Sequence, residues 1–270
     1  MGQPLFSPSS IFWRVNREIV SALAAPRAVL MQIAHPLVAA GVAEHSQFRK
    51  HRFARLYRTS MAAAAVTFGS REFAHRVVRS INQKHLLVHG TLKAQSGVFP
   101  AGTPYDANDE HLKLWVMSTV TDSALLVYDR FVGNLSDTER EQYYQDSLIV
   151  AKMFGVPESI TPPTYVDLKN YMRQMIQSDV ITVSDTAREI VRALFSKSIE
   201  GDVLRLGSAV SIGLLPERMR REFEFRWSDR RERLLNRAAA ASRTVRGHLP
   251  SIVCSSPIAT FSHFRTLVTS

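Results

Sequence analysis

A single cysteine, Cys254, stands in the 270 residues of the chain. One thiol excludes both a disulfide framework and a thiolate metal cage, and it fits a reducing compartment. Long apolar runs are missing as well. The most apolar stretch, Ile19 to Val42, is interrupted by Arg27, Gln32, His35 and two prolines, which makes a poor membrane-crossing helix. The opening MGQPLFSPSSIFW has no basic region followed by a long apolar run, so no signal peptide is expected. These absences together predict a cytoplasmic chain that touches a membrane only at its surface. The P-loop, G-x-G-x-x-G, H-E-x-x-H and G-x-S-x-G patterns do not occur, which leaves a serine-nucleophile hydrolase without support. Sustained alternation of apolar and polar residues is also lacking. SIVCSS near the end is too short to found a sheet, and there is no internal repeat.

What is present suits one all-α domain over residues 1–270. Hydrophobic residues make up 45% of the chain and charged residues 21%, enough to bury a sizeable core at this length. Lysine and arginine outnumber the acids by 34 − 24 = +10, with a local excess from Arg218 to Arg246. That balance favours acidic surfaces, whether nucleic acid or anionic lipid. No RNA-recognition, zinc-finger or basic-zipper pattern accompanies it, so nucleic acid is not the expected partner.

Helix signals recur along the chain. Ser9 or Ser10 can cap an N-terminal helical segment within residues 1–25, with Ile11, Phe12, Val15, Ile19 and Leu23 on its apolar side. Pro36 disfavours helical geometry at His35, so a break is predicted there and a new helix from Pro36 to about Glu44. The small residues of MQIAHPLVAAGVAEHS allow a neighbouring helix or a flat ligand to approach closely. Further helices are predicted from Arg55 to about Thr67 and, after the breakers Gly97, Pro100, Gly102 and Pro104, from a cap at Asn108 or Asp109. The latter should bury Leu112, Trp115, Val116, Thr119, Val120, Ser123, Leu126 and Val127. Asp122, inside it, needs a partner, and an arginine is the simplest. Ser136 and Glu139 form a capping box for a helix to about Phe154. Others should cover Tyr165 to Gln177, Ser184 to Phe195 and Val203 to Ser211. Pro216 should start a last long helix through Phe223, Phe225, Trp227 and Leu234. The segment 250–270 is expected either to fold back over a pocket or to form a mobile tail.

The chemistry concentrates in REFAHRVVRSINQKHLLVHG, Arg71 to Gly90. Phe73, Val77, Ile81, His85 and His89 fall four residues apart and read as one buried helical ridge. Arg71, His75, Arg79 and Gln83 form a polar row beside it, and Gly90 offers a helix stop. A buried imidazole needs a hydrogen-bond partner or a metal. Three readings stand on the residues alone. One is a core histidine bonded to a carbonyl. Another is a two-histidine, one-carboxylate metal site with Glu44 or Asp122. The third is a haem, which asks for one neutral imidazole in a dry, flat pocket. The E-x-x-H repeats of di-iron helix bundles are missing.

The order of motifs resembles a known family. RAVLMQIAHPLVAAGVAEHSQF (Arg27 to Phe48), RLYRT (Arg55 to Thr59) and the His85 helix come first. YDANDEHLKLWV (Tyr105 to Val116), STVTDS (Ser118 to Ser123) and LLPERMRREFEFRW (Leu214 to Trp227) follow. Together they are similar to the catalytic domain of the rubber oxygenases, or latex-clearing proteins, and to the endoplasmic-reticulum-bound oxygenases of mycophenolic acid biosynthesis. The resemblance implies an all-α, globin-like core holding haem b, with iron bound by His85; beside a haem so held, the spacing reads His89 as a residue supporting the ligand or standing at the rim. It also implies distal polar residues in an R-x-x-K-T pattern, which here read Arg55, Arg58 and Thr59. Arg58 replaces the lysine, and its fixed fork of donors is a bulkier cap.

Met117 stands where many relatives carry a histidine, and it reads first as core filling, otherwise as a porphyrin contact or a thioether ligand. Trp115 beside it reads first as a core anchor. Arg27, His35 and His45 lie in the first motif. They either line the haem edge and pair its propionates, or serve the fold, with His35 as a cap at the helix break and His45 at the surface. Glu44 is read either as a base near the distal pocket or as a solvated helix-end carboxylate. The function so implied is a haem-b oxygenase using dioxygen on an apolar unsaturated substrate, a terpenoid or lipid. The alternative is an α-helical binding protein that keeps the fold without the oxidation chemistry, and the Arg58 and Met117 departures speak for it.

Overall fold

The computed structural model describes residues 2–45, 52–194, 202–260 and 262, with side chains at all of these except 52–58 and 202–206. The chain is all-α. Its helices are α1 (Ile11–Arg17), α2 (Ala24–Ile33), α3 (Pro36–His45), α4 (Arg52–Phe68), α5 (Arg71–His85) and α6 (Glu110–Phe131). Then come α7 (Asp137–Met153), α8 (Tyr165–Gln177), α9 (Asp185–Leu194), α10 (Asp202–Gly213), α11 (Glu217–Glu222), α12 (Asp229–His248) and α13 (Ser251–Cys254). One antiparallel ribbon, β1 (His89–Thr91) with β2 (Pro104–Asp106), lies between α5 and α6.

Local chemistry sets most helix starts. Ser10, Ser70, Asp109, Thr164 and Ser228 each accept a hydrogen bond from a backbone N–H in the first turn. Ser136 and Glu139 form the reciprocal capping box of α7. α2 ends at Ile33 and α3 begins at Pro36, as the proline predicts.

The 22-residue α6 is the axis of the packing. Trp115 joins Leu30, Met31 and Ile33 of α2 and Leu168 and Met172 of α8 in the largest apolar cluster. Ala124 and Leu125 face Phe6, Phe12, Val15 and Tyr143 in a second, and Val127 and Phe131 meet Leu235 and Ala239 of α12 in a third. Three clusters around one helix leave it buried on nearly every side. Val120, expected inside, is 44% exposed instead.

Two buried charges tie these layers together. Arg27 of α2 is 4% exposed. Its guanidinium meets Asp122 at 2.8 Å, donates to Ser123 Oγ at 2.6 Å and donates to the Leu214 carbonyl at 2.8 Å. The partner expected for Asp122 is therefore Arg27. Glu18, 2% exposed, receives both forks of Arg246 from α12, each at 2.9 Å.

That second pair explains one departure from the expected elements. The N-terminal helix does not run on through Ile19 to Leu23. Glu18 turns extended (φ −63°, ψ 132°), bridges Ser255 and hands the chain to a short 3₁₀ turn, Ile19–Leu23. Ile19 is consequently 55% exposed. A second departure follows Pro216. The single long helix divides into α11 and α12 at Phe223–Ser228, where Glu224 is left-handed (φ 61°), a conformation that stops a helix. The segment after Pro250 packs back in its first part, with Ala259 against Trp13 and Phe68.

Among the described residues no single helix is long and apolar enough to cross a membrane. The pair Ile19–Ile33 and Pro36–His45 is bent by 105°.

Arg27→Ala leaves the Leu214 carbonyl and Ser123 without their donor, while Asp122, 30% exposed, keeps part of its hydration. The substitution is expected to lower the unfolding free energy by about 2–3 kcal/mol in urea titrations. A loss below about 1 kcal/mol, the worth of a surface ion pair, would show that Arg27 does not hold the helices together.

Candidate functional site

Helix α5 positions the histidine singled out by the sequence, but along a different line. Four residues advance a helix by about 40° beyond a full turn, so Phe73 and His85 lie about 120° apart. Phe73 is 45% exposed, whereas Ala74 and Val78 are buried. The buried line is therefore Ala74, Val78 and the half-buried His85, with Ile81 and Asn82 flanking it. The helix stops at His85, where Leu87 and Val88 donate to the carbonyls of Lys84 and His85. His89 consequently opens strand β1, exposed, and is not a helical neighbour of His85. Gly90 is not the helix stop expected of it. It pairs with Tyr105 across the ribbon, where a Cβ would meet the Tyr105 hydroxyl at 2.5 Å.

The Nδ1 of His85 is buried and has no hydrogen-bond partner among the described residues. Burial, with the Lys113 ammonium adding to it, holds this imidazole below the ordinary histidine value. It is therefore neutral at physiological pH, with one ring nitrogen unengaged inside the protein. A groove of about 430 Å³, which His85 itself does not line, runs between α5, the start of α6 and the end of α7. Val78, Met153 and Phe154 give it an apolar floor, and Arg79 and Lys113 a cationic rim. Asn82 links the walls by donating to the Met153 carbonyl at 3.0 Å, while its own Oδ1 is buried without a donor. Lys113 connects groove and histidine, since it lines the one and its charge acts on the other.

The remaining candidates are placed elsewhere. Arg27 is enclosed by Asp122, Ser123 and Leu214. His35, 4% exposed, sits at the α2–α3 joint with Nδ1 accepting from the Leu37 N–H at 3.3 Å and its ring 5.4 Å from that of Phe99. Burial pushes this imidazole from 6.5 down to about 4, against a smaller opposing pull from Asp109. His45 reaches the His89 carbonyl at 3.1 Å. Glu44 accepts from the Tyr105 hydroxyl and pairs with Lys93 at 3.0 Å, and the tyrosine bond first of all holds its carboxyl below the ordinary range. Met117 is half-buried between two apolar clusters, as core filling requires. Trp115 is fully buried with Nε1 unpartnered. Thr59 is exposed on α4. The backbone at Arg55 and Arg58 belongs to α4, and their side chains lie outside the described residues.

The groove gathers residues not singled out as a site. His75, Arg79 and Gln83 line it, and they are the polar row read beside the apolar ridge. Lys113, Met153 and Phe154 come from distant stretches, and no local pattern marks them. Among the described residues no three His, Cys, Asp or Glu side chains gather to hold a metal by themselves. A two-histidine, one-carboxylate site loses its helical histidine pair, and Asp122 and Glu44 have other partners. Haem makes the smaller demand, one neutral imidazole, and the unpartnered, desolvated His85 fits it.

Residues 13–244 match the family model described as ER-bound oxygenase mpaB/B'/Rubber oxygenase, catalytic domain. Mb2261 of Mycobacterium bovis and Rv2237 of Mycobacterium tuberculosis, both described as uncharacterized proteins, are each 26% identical over 214 residues. That alignment spans 76% of this chain and 80% of theirs. No solved structure matches at a significant level.

The depressed value of His35 carries a pH signature. Its folded-state value lies below its unfolded one, so its contribution is complete above 6.5 and is lost as pH falls from 6.5 to about 4. The loss should reach about 3 kcal/mol. Urea midpoints measured across this range should fall more steeply for the wild type than for His35→Gln. Parallel curves would mean that the imidazole is not buried neutral.

Proposed function

Because the chain belongs to the mpaB and rubber oxygenase catalytic-domain family, we propose that it is a haem-b-dependent oxygenase, with His85 as the iron ligand. The observation that carries this reading is the buried, unpartnered Nδ1 of His85. A core histidine kept for packing would have a carbonyl or hydroxyl against that atom. Here the structural elements withhold a partner and keep the ring neutral, the state an iron ligand requires. A haem, when bound, supplies dioxygen binding and the oxidation itself.

The protein's own contribution is binding, orientation and polarity. Ser70 caps the start of α5 and Ala74 and Val78 anchor it in the core, which positions the backbone of His85 at its last turn. Helix α4, which carries Arg55, Arg58 and Thr59, packs directly against α5. This adjacency supports the distal role that the family pattern gives these three residues. Arg79 and Lys113 supply cationic donors for carboxylates at the groove rim, the role first considered for Arg27. Arg27 is held through Nε and Nη1 by Asp122, Ser123 and the Leu214 carbonyl, which supports a role in the fold. The substrate class in this reading is an apolar alkene, terpenoid or lipid-like, met by aliphatic and aromatic groove walls.

Absorption spectra of the purified protein, before and after dithionite and beside His85→Ala, test this directly. A Soret band is expected in the wild type, if necessary after reconstitution with haemin. In a folded His85→Ala it should be lost or shifted, with haem affinity lower by more than about 100-fold, since even outer partners of metal ligands are worth 10–100-fold. No Soret band after reconstitution would leave a helical binding protein without this chemistry. An unaltered band in the variant would move the ligand away from His85.

A further inference from the structure

Helix α12 carries two apolar seams, and only one has a partner. Leu235, Ala239, Ser242 and Arg246 face inward. The first two are buried, Ser242 donates to the Phe131 carbonyl at 2.8 Å, and Arg246 pairs with Glu18. Leu234, Ala238, Ala241, Val245 and Leu249 repeat the same spacing one residue earlier, which turns them about 100° away on the helix. All five are exposed, Leu234 by 62% and Val245 by 56%. The seam continues past Pro250 into α13, where Ile252 and Val253 are 51% and 60% exposed while Cys254 is buried. The bridge between Glu18 and Ser255 brings Ile19, 55% exposed, alongside. An aliphatic ridge therefore runs along the outside of α12 and over its end. Isolated surface leucines are ordinary, but a continuous aliphatic ridge marks an interaction site.

Its flanks are basic. α12 holds six arginines and two acids, 6 − 2 = +4. Arg230, Arg233 and Arg237 are exposed and make no ion pair among the described residues. This charge selects among occupants. A second copy meeting the ridge across a two-fold axis would set arginine against arginine. Nucleic acid would satisfy the arginines but leave the aliphatic residues against phosphate and water. An anionic lipid surface satisfies both, headgroups against guanidinium and acyl boundary against the ridge.

We propose that the outer face of α12, with α13 and Ile19, docks the protein on membranes bearing anionic lipid, with α12 lying in the plane of the headgroups. The proposal uses no part of the haem reading and stands or falls separately from it.

Co-sedimentation of the full chain with vesicles tests it. One set contains phosphatidylcholine alone, and the other phosphatidylcholine and phosphatidylglycerol in equal parts. Binding is expected on the anionic vesicles, at least about tenfold stronger than on the neutral ones and weakening with salt. The triple variant Arg230→Ala, Arg233→Ala, Arg237→Ala should bind about a hundredfold more weakly, at roughly fivefold for each arginine. Val245→Asp with Ile252→Asp should lower binding at least about tenfold. These positions are exposed, so unchanged circular dichroism is expected, and the arginine variant decides the matter if the aspartates disturb folding. Equal binding to both vesicle sets, or no binding, would overturn the proposal. So would a concentration-dependent dimer in sedimentation velocity that the aspartates abolish, which would assign the ridge to a second copy.

Discussion

The fold depends on a guanidinium buried where no water can solvate it. Arg27 is tolerated inside the helical core only because Asp122, Ser123 and the Leu214 carbonyl all face it. Those partners belong to α6 and to the segment after α10, so one side chain fixes the approach of three parts of the chain. Glu18 and Arg246 repeat the arrangement between the end of α1 and α12. Both pairs link residues far apart in sequence, and both specify geometry that apolar packing alone would leave free to slide.

Much of this was legible in the chain, and the reasons differ by element. Capping side chains and prolines act over three or four residues, so α3 and α7 could be read closely from Pro36 and the Ser136–Glu139 box. The break at Glu18 could not, because its cause is an arginine 228 positions away. The turn at Glu224 is similarly opaque, since a left-handed glutamate carries none of the glycine signal that usually marks such a stop. The need of Asp122 for an arginine was clear from its burial pattern. That the arginine is Arg27 required the three-dimensional arrangement.

The site shows the same division. His85 draws attention in the sequence and in the structure alike, but four-residue steps rotate slowly around a helix of 3.6 residues per turn, so Phe73 and His85 do not share one ridge. That rotation accounts for the exposure of Phe73, the helix end at His85 places His89 in strand β1, and the polar residues His75, Arg79 and Gln83 line the groove on another side of the helix from His85. The resulting environment is asymmetric. One side is a desolvated imidazole without a partner, and the other is a groove with an apolar floor and a cationic rim. Such an arrangement costs stability if it is only structural, because a buried polar atom without a hydrogen bond is a penalty of about 1–3 kcal/mol. Its persistence makes sense if a ligand supplies the missing bond.

The most direct test of that claim follows the imidazole of His85 itself. Nitrogen–proton correlation spectra of the histidine side chains in the haem-free protein, assigned with His85→Ala, report its protonation and its bonding. At neutral pH the account requires a neutral His85 ring with one unprotonated nitrogen, and its resonances should disappear before those of other histidines as haemin is added. A His85 that is protonated, or whose signals persist unchanged under saturating haemin, would contradict it.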